Sequence, residues 1–245
     1  MVESMNGVLE RGRDWQNVPR VVEIVGPAGA GKTTLCRALN RHSEYFQLGR
    51  FPSVRKITDA PFFIWNGLRL IPSLLHLHQP NSWRLSRREF AWMSILHGWP
   101  AALQKEKRDG NRTIILDQGP VYLIAEMKGF GSECLRSQKA ESMWQEVCGR
   151  WAASLDMIVW MDASDEILLE RIRTRPKEHI AKHAPRSMAF EFLEQFREVY
   201  RQIISVLASN AAGLRVLNFD TGRERPDEIV NRILAESDVS LKTQI

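Results

Sequence analysis

The run Gly26-Pro27-Ala28-Gly29-Ala30-Gly31-Lys32-Thr33 fits the spacing G-x-x-x-x-G-K-[ST]. The chemistry of that spacing is phosphate binding: glycines let successive backbone N–H groups turn inward on a phosphate, the lysine reaches β and γ oxygens, and the final hydroxyl can ligate Mg²⁺. Glycine-rich turns are common between strands and helices, but such a turn does not require the Lys32-Thr33 ending. Thr34 continues into a helix whose dipole adds positive potential at the same point.

A second group is Asp117, which closes the apolar run Arg112-Thr113-Ile114-Ile115-Leu116. A carboxylate at the end of a buried strand, paired with a phosphate loop, is placed to hold Mg²⁺ directly or through water. It can also cap the helix that begins near Pro120, and the two roles are compatible. The third group is the basic run Glu170-Arg171-Ile172-Arg173-Thr174-Arg175-Pro176-Lys177. Arg171 and Arg175 stand four apart at a helix end, so their guanidinium groups can converge on one face and clamp a phosphoryl group. The charged, proline-punctuated segment 174–187 then reads as a lid that closes on nucleotide. The competing reading is a solvated basic helix end favoured by the helix dipole. His179 and His183 are spaced as i and i+4, but no glutamate stands between them as in a zinc-protease helix, so they read as exposed lid residues rather than a metal pair.

Elements that could position these groups follow from periodicity. Residues 20–25 read as a first strand, 34–41 as a helix, 51–57 as a second strand, and 61–108 as a helical insertion broken around Pro80-Asn81 and again at Pro100. Residues 112–117 read as a third strand. Helices follow at 121–127 and 138–154, then a strand at 157–161, helices at about 165–173 and 188–209, a strand at 214–219 and a helix at 226–236. Strands alternating with helices imply a parallel sheet between helical layers, an α/β fold. The insertion, 61–109, holds many large apolar residues, Phe62, Phe63, Trp65, Leu68, Leu70, Ile71, Leu74 and Leu75, followed by Trp83, Phe90, Trp92 and Trp99. Most of these suit a core; the remainder suit either an apolar acceptor pocket or contact with a membrane surface through 61–78. Arg84, Arg87 and Arg88 nearby form a solvated face or a phosphate contact.

Composition narrows the class. A chain of 245 residues with 44% hydrophobic content suits one sizeable domain, assigned to 20–237, with tails at 1–19 and 238–245. The 34 Lys+Arg against 29 Asp+Glu give +5, which favours anionic ligands. No aromatic-basic repeat or zinc-finger spacing accompanies that charge, so no specific nucleic-acid partner is expected. Cys36, Cys134 and Cys148 form no C-x-x-C pair, which argues against a zinc site or a disulfide framework and for a reducing, cytoplasmic setting. Residues 1–17 carry charges with no apolar run behind them, unlike a secretory signal. The apolar stretch 61–77 is interrupted by Asn66, Arg69 and Pro72 and is too short to span a membrane.

Taken in order, Gly26–Thr33, Ile115-Leu116-Asp117-Gln118-Gly119-Pro120 with Tyr122 and Ala125 following, Val159-Trp160-Met161-Asp162-Ala163, the arginine run at 170–175 and Val216-Leu217-Asn218-Phe219-Asp220-Thr221 resemble thymidylate kinases and deoxynucleoside kinases. The resemblance covers most of the chain from Arg20 onward. It implies a P-loop NTPase fold with a five-stranded parallel sheet, a helical acceptor-site insertion and an arginine lid. It implies transfer of the ATP γ-phosphoryl, with Mg²⁺, to a nucleoside or nucleoside monophosphate. Lys32 and Thr33 match the loop lysine and the magnesium hydroxyl, and Arg171, Arg173 and Arg175 fall in the lid. Asp220 and Thr221 fall where backbone packs on adenine.

Two positions depart from these families. Asp117 is followed by Gln118 where an arginine is usual, and the second strand is followed at 58–61 by Thr-Asp-Ala-Pro where a Glu-Pro or Arg-Glu-Pro element is usual. Asp59 is then the candidate acceptor-side base, or else a turn or cap residue. The expectation is an ATP-dependent kinase acting on a small-molecule hydroxyl or phosphate, with Lys32, Asp59, Asp117, Arg171 and Arg175 as catalytic candidates. A sugar, antibiotic or lipid-linked alcohol as acceptor stays open, as does a nucleotide-binding switch, although no Asn-Lys-x-Asp guanine element is present. A homodimer is compatible with the sequence and not required by it.

Overall fold

The run Val21-Val22-Glu23-Ile24-Val25 is rich in β-branched residues, which suit a strand buried on both faces. In the computed structural model, which describes residues 20–42, 45–77, 85–109 and 112–238, it forms the central strand β1 (Val21–Val25). After it come α1 (Lys32–Asn40), β2 (Phe46–Leu48), a 3-10 turn at Ile57–Asp59, α2 (Ala60–His76), α3 (Arg87–Asp109) and β3 (Thr113–Leu116). The chain continues through α4 (Pro120–Phe130), the short α5 (Glu133–Arg136), α6 (Glu141–Ala152), β4 (Met157–Asp162), α7 (Asp165–Thr174), α8 (Arg186–Asn210), β5 (Arg215–Asp220) and α9 (Pro226–Asp238). The five strands are all parallel, in the order β2-β3-β1-β4-β5.

Alternation along the strands feeds two cores. Val21, Val25, Ile114, Leu116 and Ile158 face the layer built from α2, α3, α4, α6 and α8. Val22, Ile24, Ile115, Met157 and Val159 face the layer of α1, α7 and α9. Parallel strands point their carboxyl ends to one edge of the sheet, so the loops after β1, β3, β4 and β5 meet there.

Two expectations about elements are corrected. The second strand is Phe46–Leu48, not 51–57. Phe46 is buried and pairs with Thr113, and Leu48 pairs with Ile115, whereas Val54 and Ile57 in the expected strand are exposed and Pro52 cannot donate to a ladder. The expected break at Pro100 does not occur, and α3 runs through it. Proline in a helix interior costs about 3 kcal/mol, and burial of Trp99 and Leu103 beside it offsets that cost. The other expected break, at Pro80-Asn81, lies outside the described residues with Trp83 and Arg84. The tail at 1–19 lies outside them too, as does 238–245 apart from Asp238, the last residue of α9.

The helical insertion is anchored at its second member. Ser86 and Glu89 form a reciprocal cap on α3: the Ser86 N–H donates to Glu89 Oε2 at 2.7 Å and the Glu89 N–H to Ser86 Oγ at 3.2 Å. The Ser132 N–H also donates to Glu89 Oε1, at 2.6 Å, tying the start of α3 to the start of α5. No helix among the described residues is long and apolar enough to cross a membrane.

Candidate active site

Between β1 and α1 the phosphate loop takes a conformation that its glycines permit. Gly26, Gly29 and Gly31 have φ of 143°, 86° and 87°, the only positive values among the described residues. Space is as restrictive as the torsion: a Cβ on Gly26 would stand 2.0 Å from the Met161 carbonyl oxygen, and one on Gly29 2.7 Å from that of Leu168. The loop therefore lies directly on the end of β4 and on α7.

Lys32 curls back over this loop, its ammonium donating to the carbonyl oxygens of Gly26 at 2.7 Å and Pro27 at 2.9 Å. Burial pushes its pKa down to about 8; Asp117 opposes that shift, and the positive Arg175 and Lys177 add to it. An ammonium held among cations at the mouth of an N–H-lined loop is poised for a polyanion. Thr33 Oγ1 donates to Asp117 Oδ2 at 3.1 Å, so the two residues expected to hold Mg²⁺ are brought together from α1 and the end of β3. A hydroxyl and a carboxylate are hard oxygen donors, the kind Mg²⁺ takes alongside phosphate oxygens and water. Among the described residues no cluster of three or more His, Cys, Asp or Glu competes for a metal.

These groups line a cavity of about 590 Å³ at the carboxyl edge of the sheet. Gly26, Ala28, Gly29, Ala30, Gly31, Lys32, Thr33, Thr34 and Asp117 form its floor. Pro27 contributes through its carbonyl to Lys32 rather than through the wall. Thr221, Glu224, Pro226 and Ile229, from the turn after β5 and the start of α9, form one side, and Tyr122 and Glu126 of α4 with Phe196 and Tyr200 of α8 form another. Volumes of roughly 300–1,000 Å³ accommodate small-molecule ligands.

The two arginines that the spacing pairs have different partners. Arg171 and Arg175 both line the cavity, and although α7 ends at Thr174 the Arg175 N–H still donates to the Arg171 carbonyl at 3.3 Å, so the two stand one helical turn apart. Arg171 is committed: it donates to the Thr221 carbonyl at 2.8 Å, to Thr221 Oγ1 at 3.0 Å and to the Gly29 carbonyl at 3.3 Å, lacing the phosphate loop to the turn after β5. Arg175 lines the cavity, and its buried Nε has no hydrogen-bond partner. Arg173 faces away, donating to the Ala184 carbonyl at 3.2 Å, and takes no part in the cavity wall.

The segment 174–187 is folded onto its neighbours. Lys182 donates to the Arg175 carbonyl at 2.9 Å, Ala181 is buried, and the His179 ring meets Phe192 edge-on at 5.4 Å. His179 is thus half-buried on the cavity wall, contrary to the expectation of an exposed histidine, while His183 is exposed. Burial, with Arg175, Lys32 and Lys177 nearby, pushes the His179 pKa down to about 4.

Asp59 is not in the cavity. It is buried at the foot of α2, accepting from the Ser53 N–H at 2.9 Å and paired with Arg50, which makes it a residue that shapes the 50–59 loop. With the second strand relocated, the residues that follow it are Gly49-Arg50-Phe51-Pro52, which include no carboxylate. Asp220 likewise caps its own turn, accepting from the Gly222 N–H at 2.9 Å, while its neighbour Thr221 reaches the cavity.

The sequence reading missed Glu126 and Glu224 on the wall and Glu23 behind it; Tyr122 and Lys177, quoted only as parts of longer runs, line the wall too. Glu126 hydrogen-bonds Tyr122, and burial raises its pKa against the pull of Arg88 and that hydrogen bond. Arg88 in turn stacks 4.7 Å over the Trp92 ring, which packs at 6.3 Å on Tyr122. Glu126 follows Asp117 by nine residues, and its i+4 spacing from Tyr122 was the available signal. Glu23 is fully buried in β1, where its carboxylate accepts from the N–H groups of Val121 at 2.9 Å and Tyr122 at 3.0 Å and so caps α4. Burial pushes its pKa up to about 8, against those N–H groups, which lower it.

Comparison with known proteins agrees with this architecture. Residues 22–191 match the family described as AAA domain. Among solved structures, deoxyadenosine kinase from M. mycoides with dCMP and dCDP is 14% identical over 89% of this chain and 99% of that one, with a TM-score of 0.51. The same enzyme with dCTP is 14% identical over 88% and 99%, with a TM-score of 0.50. YorR protein of Bacillus subtilis, in complex with phosphorylated GDP, is 16% identical over 92% and 99%, with a TM-score of 0.49. No curated protein matches the sequence. The two kinase structures share the chain's fold.

Proposed function

The chain belongs to the AAA domain family, and from that membership and the geometry of its cavity we propose that it is an ATP-dependent phosphotransferase of the nucleoside/nucleotide kinase type. Its reaction is transfer of the γ-phosphoryl of ATP to a small-molecule acceptor. One observation carries this reading: a phosphate loop, Arg175 and two carboxylates, Asp117 and Glu126, converge on one cavity large enough for donor and acceptor together.

The N–H groups of 28–33 cradle the β-phosphate, and Lys32 leaves the Gly26 and Pro27 carbonyls to meet β and γ oxygens. Mg²⁺, held through Thr33 and Asp117, supplies further neutralisation of phosphate charge when bound. Thr221 packs on the base side, fixed there by Arg171, and Arg175 meets the charge that spreads over the transferring phosphoryl. The acceptor oxygen bonds to the γ-phosphorus as the bond to the β–γ bridging oxygen breaks. The acceptor proton passes to a carboxylate, and the products are the phosphorylated acceptor and ADP. Glu126 is better placed for that proton than Asp59, because it lies on the cavity wall while Asp59 is buried against Arg50 outside it.

The test is ADP release from ATP and Mg²⁺ with a panel of nucleosides, nucleoside monophosphates, sugars and polyprenols. Wild type is expected to respond to an acceptor and Lys32→Ala to be inactive. Glu126→Gln should lose roughly 100-fold in acceptor-dependent turnover with ATP affinity within about twofold of wild type. A Lys32→Ala enzyme working at the wild-type rate, or no response to any acceptor, would overturn the reading.

A further inference from the structure

The chain leaves α7 in an extended conformation at Arg175, and from there its side chains alternate. Arg175, Lys177 and His179 line the cavity, whereas Pro176, Glu178 and Ile180 do not. A period of two is what extended backbone gives, with successive side chains on opposite sides. The outward members agree with it: Ile180 is 74% exposed, and Glu178 pairs at the surface with Lys182 at 3.6 Å and His183 at 3.4 Å.

His179 differs from the other two inward residues in carrying no charge. Burial, with Arg175, Lys32 and Lys177 around it, pushes its pKa down to about 4, so the imidazole is neutral at pH 7. A neutral imidazole has one N–H and one lone pair to accept with. The Ala181 N–H donates to Nδ1 at 3.2 Å, which occupies the lone pair and leaves the proton on Nε2. Phe192, edge-on at 5.4 Å, holds the ring from a second side. Nε2 meets no partner among the described residues and is not sealed from solvent. The nitrogen left over is therefore a donor of fixed tautomer, on a wall that it shares with Lys32, Arg175 and Lys177.

We propose that His179 is a phosphate ligand, its Nε2–H donating to an oxygen of the γ-phosphoryl of ATP bound in the cavity. Lys32 and Arg175 meet the same phosphoryl by charge, which attracts any phosphate within reach. A neutral N–H bonds only where an oxygen stands in line with it, so it adds direction without adding a fourth positive charge to hold the products back. The imidazole keeps its proton throughout, and no proton of the transfer passes through it. ADP lacks the γ-phosphoryl and makes no such contact. The contact needs only bound ATP; its effect on turnover rests on the phosphotransferase reading above.

Nitrogen-15 NMR of the full chain labelled at histidine tests the contact. At pH 7 the His179 ring is expected as the neutral Nε2–H tautomer. A non-hydrolysable ATP analogue with Mg²⁺ should shift the Nε2 resonance and slow exchange of its proton with water, and ADP with Mg²⁺ should do neither. Two variants separate this role from a structural one. His179→Gln places an N–H donor near the Nε2 position and no acceptor near Nδ1, whereas His179→Asn offers an acceptor to the Ala181 N–H and no donor near Nε2. His179→Asn should lose about 100-fold in kcat, the cost of removing one donor to developing negative charge, with ADP affinity unchanged. His179→Gln should keep most of the wild-type kcat. An Nδ1–H tautomer, an Nε2 resonance indifferent to the analogue, or His179→Gln falling as far as His179→Asn overturns the proposal. If no acceptor raises ADP release by wild type, the phosphotransferase reading falls by itself, and the NMR measurement still decides the contact.

Discussion

Lys32 gives nucleotide binding a pH dependence whose size follows from its surroundings. In the free protein its pKa is pushed down to about 8 by burial, with Arg175 and Lys177 adding to the effect. A bound triphosphate brings several negative charges to the same ammonium, so the complex selects the protonated form. Binding is therefore full below pH 8 and lost as pH rises through it. With a free-state pKa of about 8, the protonated fraction falls from about 0.76 at pH 7.5 to about 0.09 at pH 9, so the Kd for ATP should rise about eightfold across that window. Titration calorimetry at pH 8, in buffers of different ionisation enthalpy, should show uptake of about half a proton per nucleotide. Lys32→Arg, whose guanidinium stays charged throughout, should bind with a nearly flat profile. A wild-type Kd that does not change between pH 7.5 and 9, or a Lys32→Arg profile as steep as wild type, refutes the reasoning.

Gly26→Ala should abolish measurable nucleotide binding and lower the melting temperature, since its Cβ would overlap the Met161 carbonyl oxygen at 2.0 Å; a thermal melt and a fluorescent-nucleotide titration check both parts. Arg171→Met removes the lacing between Gly29 and Thr221, so ATP affinity should fall about tenfold, while Arg175→Met should act mainly on kcat; steady-state kinetics separate the two. Arg197 of α8 is buried and bridges Asp162 at 2.8 Å and Asp165 at 2.6 Å. Arg197→Met strands those carboxylates and should cost about 3–5 kcal/mol in denaturant unfolding.

Those groups differ in how far the sequence discloses them. The phosphate loop, β1, β3 and β4 were readable because each rests on local chemistry: glycine torsions, or apolar runs too short and too β-branched for helices. Strand β2 was not readable, because three residues, Phe46–Leu48, carry no period and owe their strand form to pairing with β3. The 51–57 run looked better than it is, since exposure of Val54 and Ile57 is a tertiary fact. Locating β2 also moved the acceptor-side comparison off Asp59. The spacing of Arg171 and Arg175 puts both on the cavity wall, but the commitment of Arg171 to Thr221 and Gly29 is a tertiary fact that no local pattern encodes. Glu126 escaped notice because what turns it inward is the seating of α4 on α8, a contact no local pattern encodes. Glu23 was visible as a lone charge inside VVEIV, and its partners lie about a hundred residues away.

The place of Glu23 matters beyond the cap it provides. It stands three residues before Gly26 on the same rigid strand, while its carboxylate holds the first N–H groups of α4. One strand therefore carries the donor cradle at its tip and, through a single side chain, sets the position of Tyr122 and Glu126 opposite. The separation between the two halves of the cavity is built in as a gauge length rather than reached by adjustment. A ligand that fills the cavity therefore meets two walls whose spacing is set by one strand and one carboxylate.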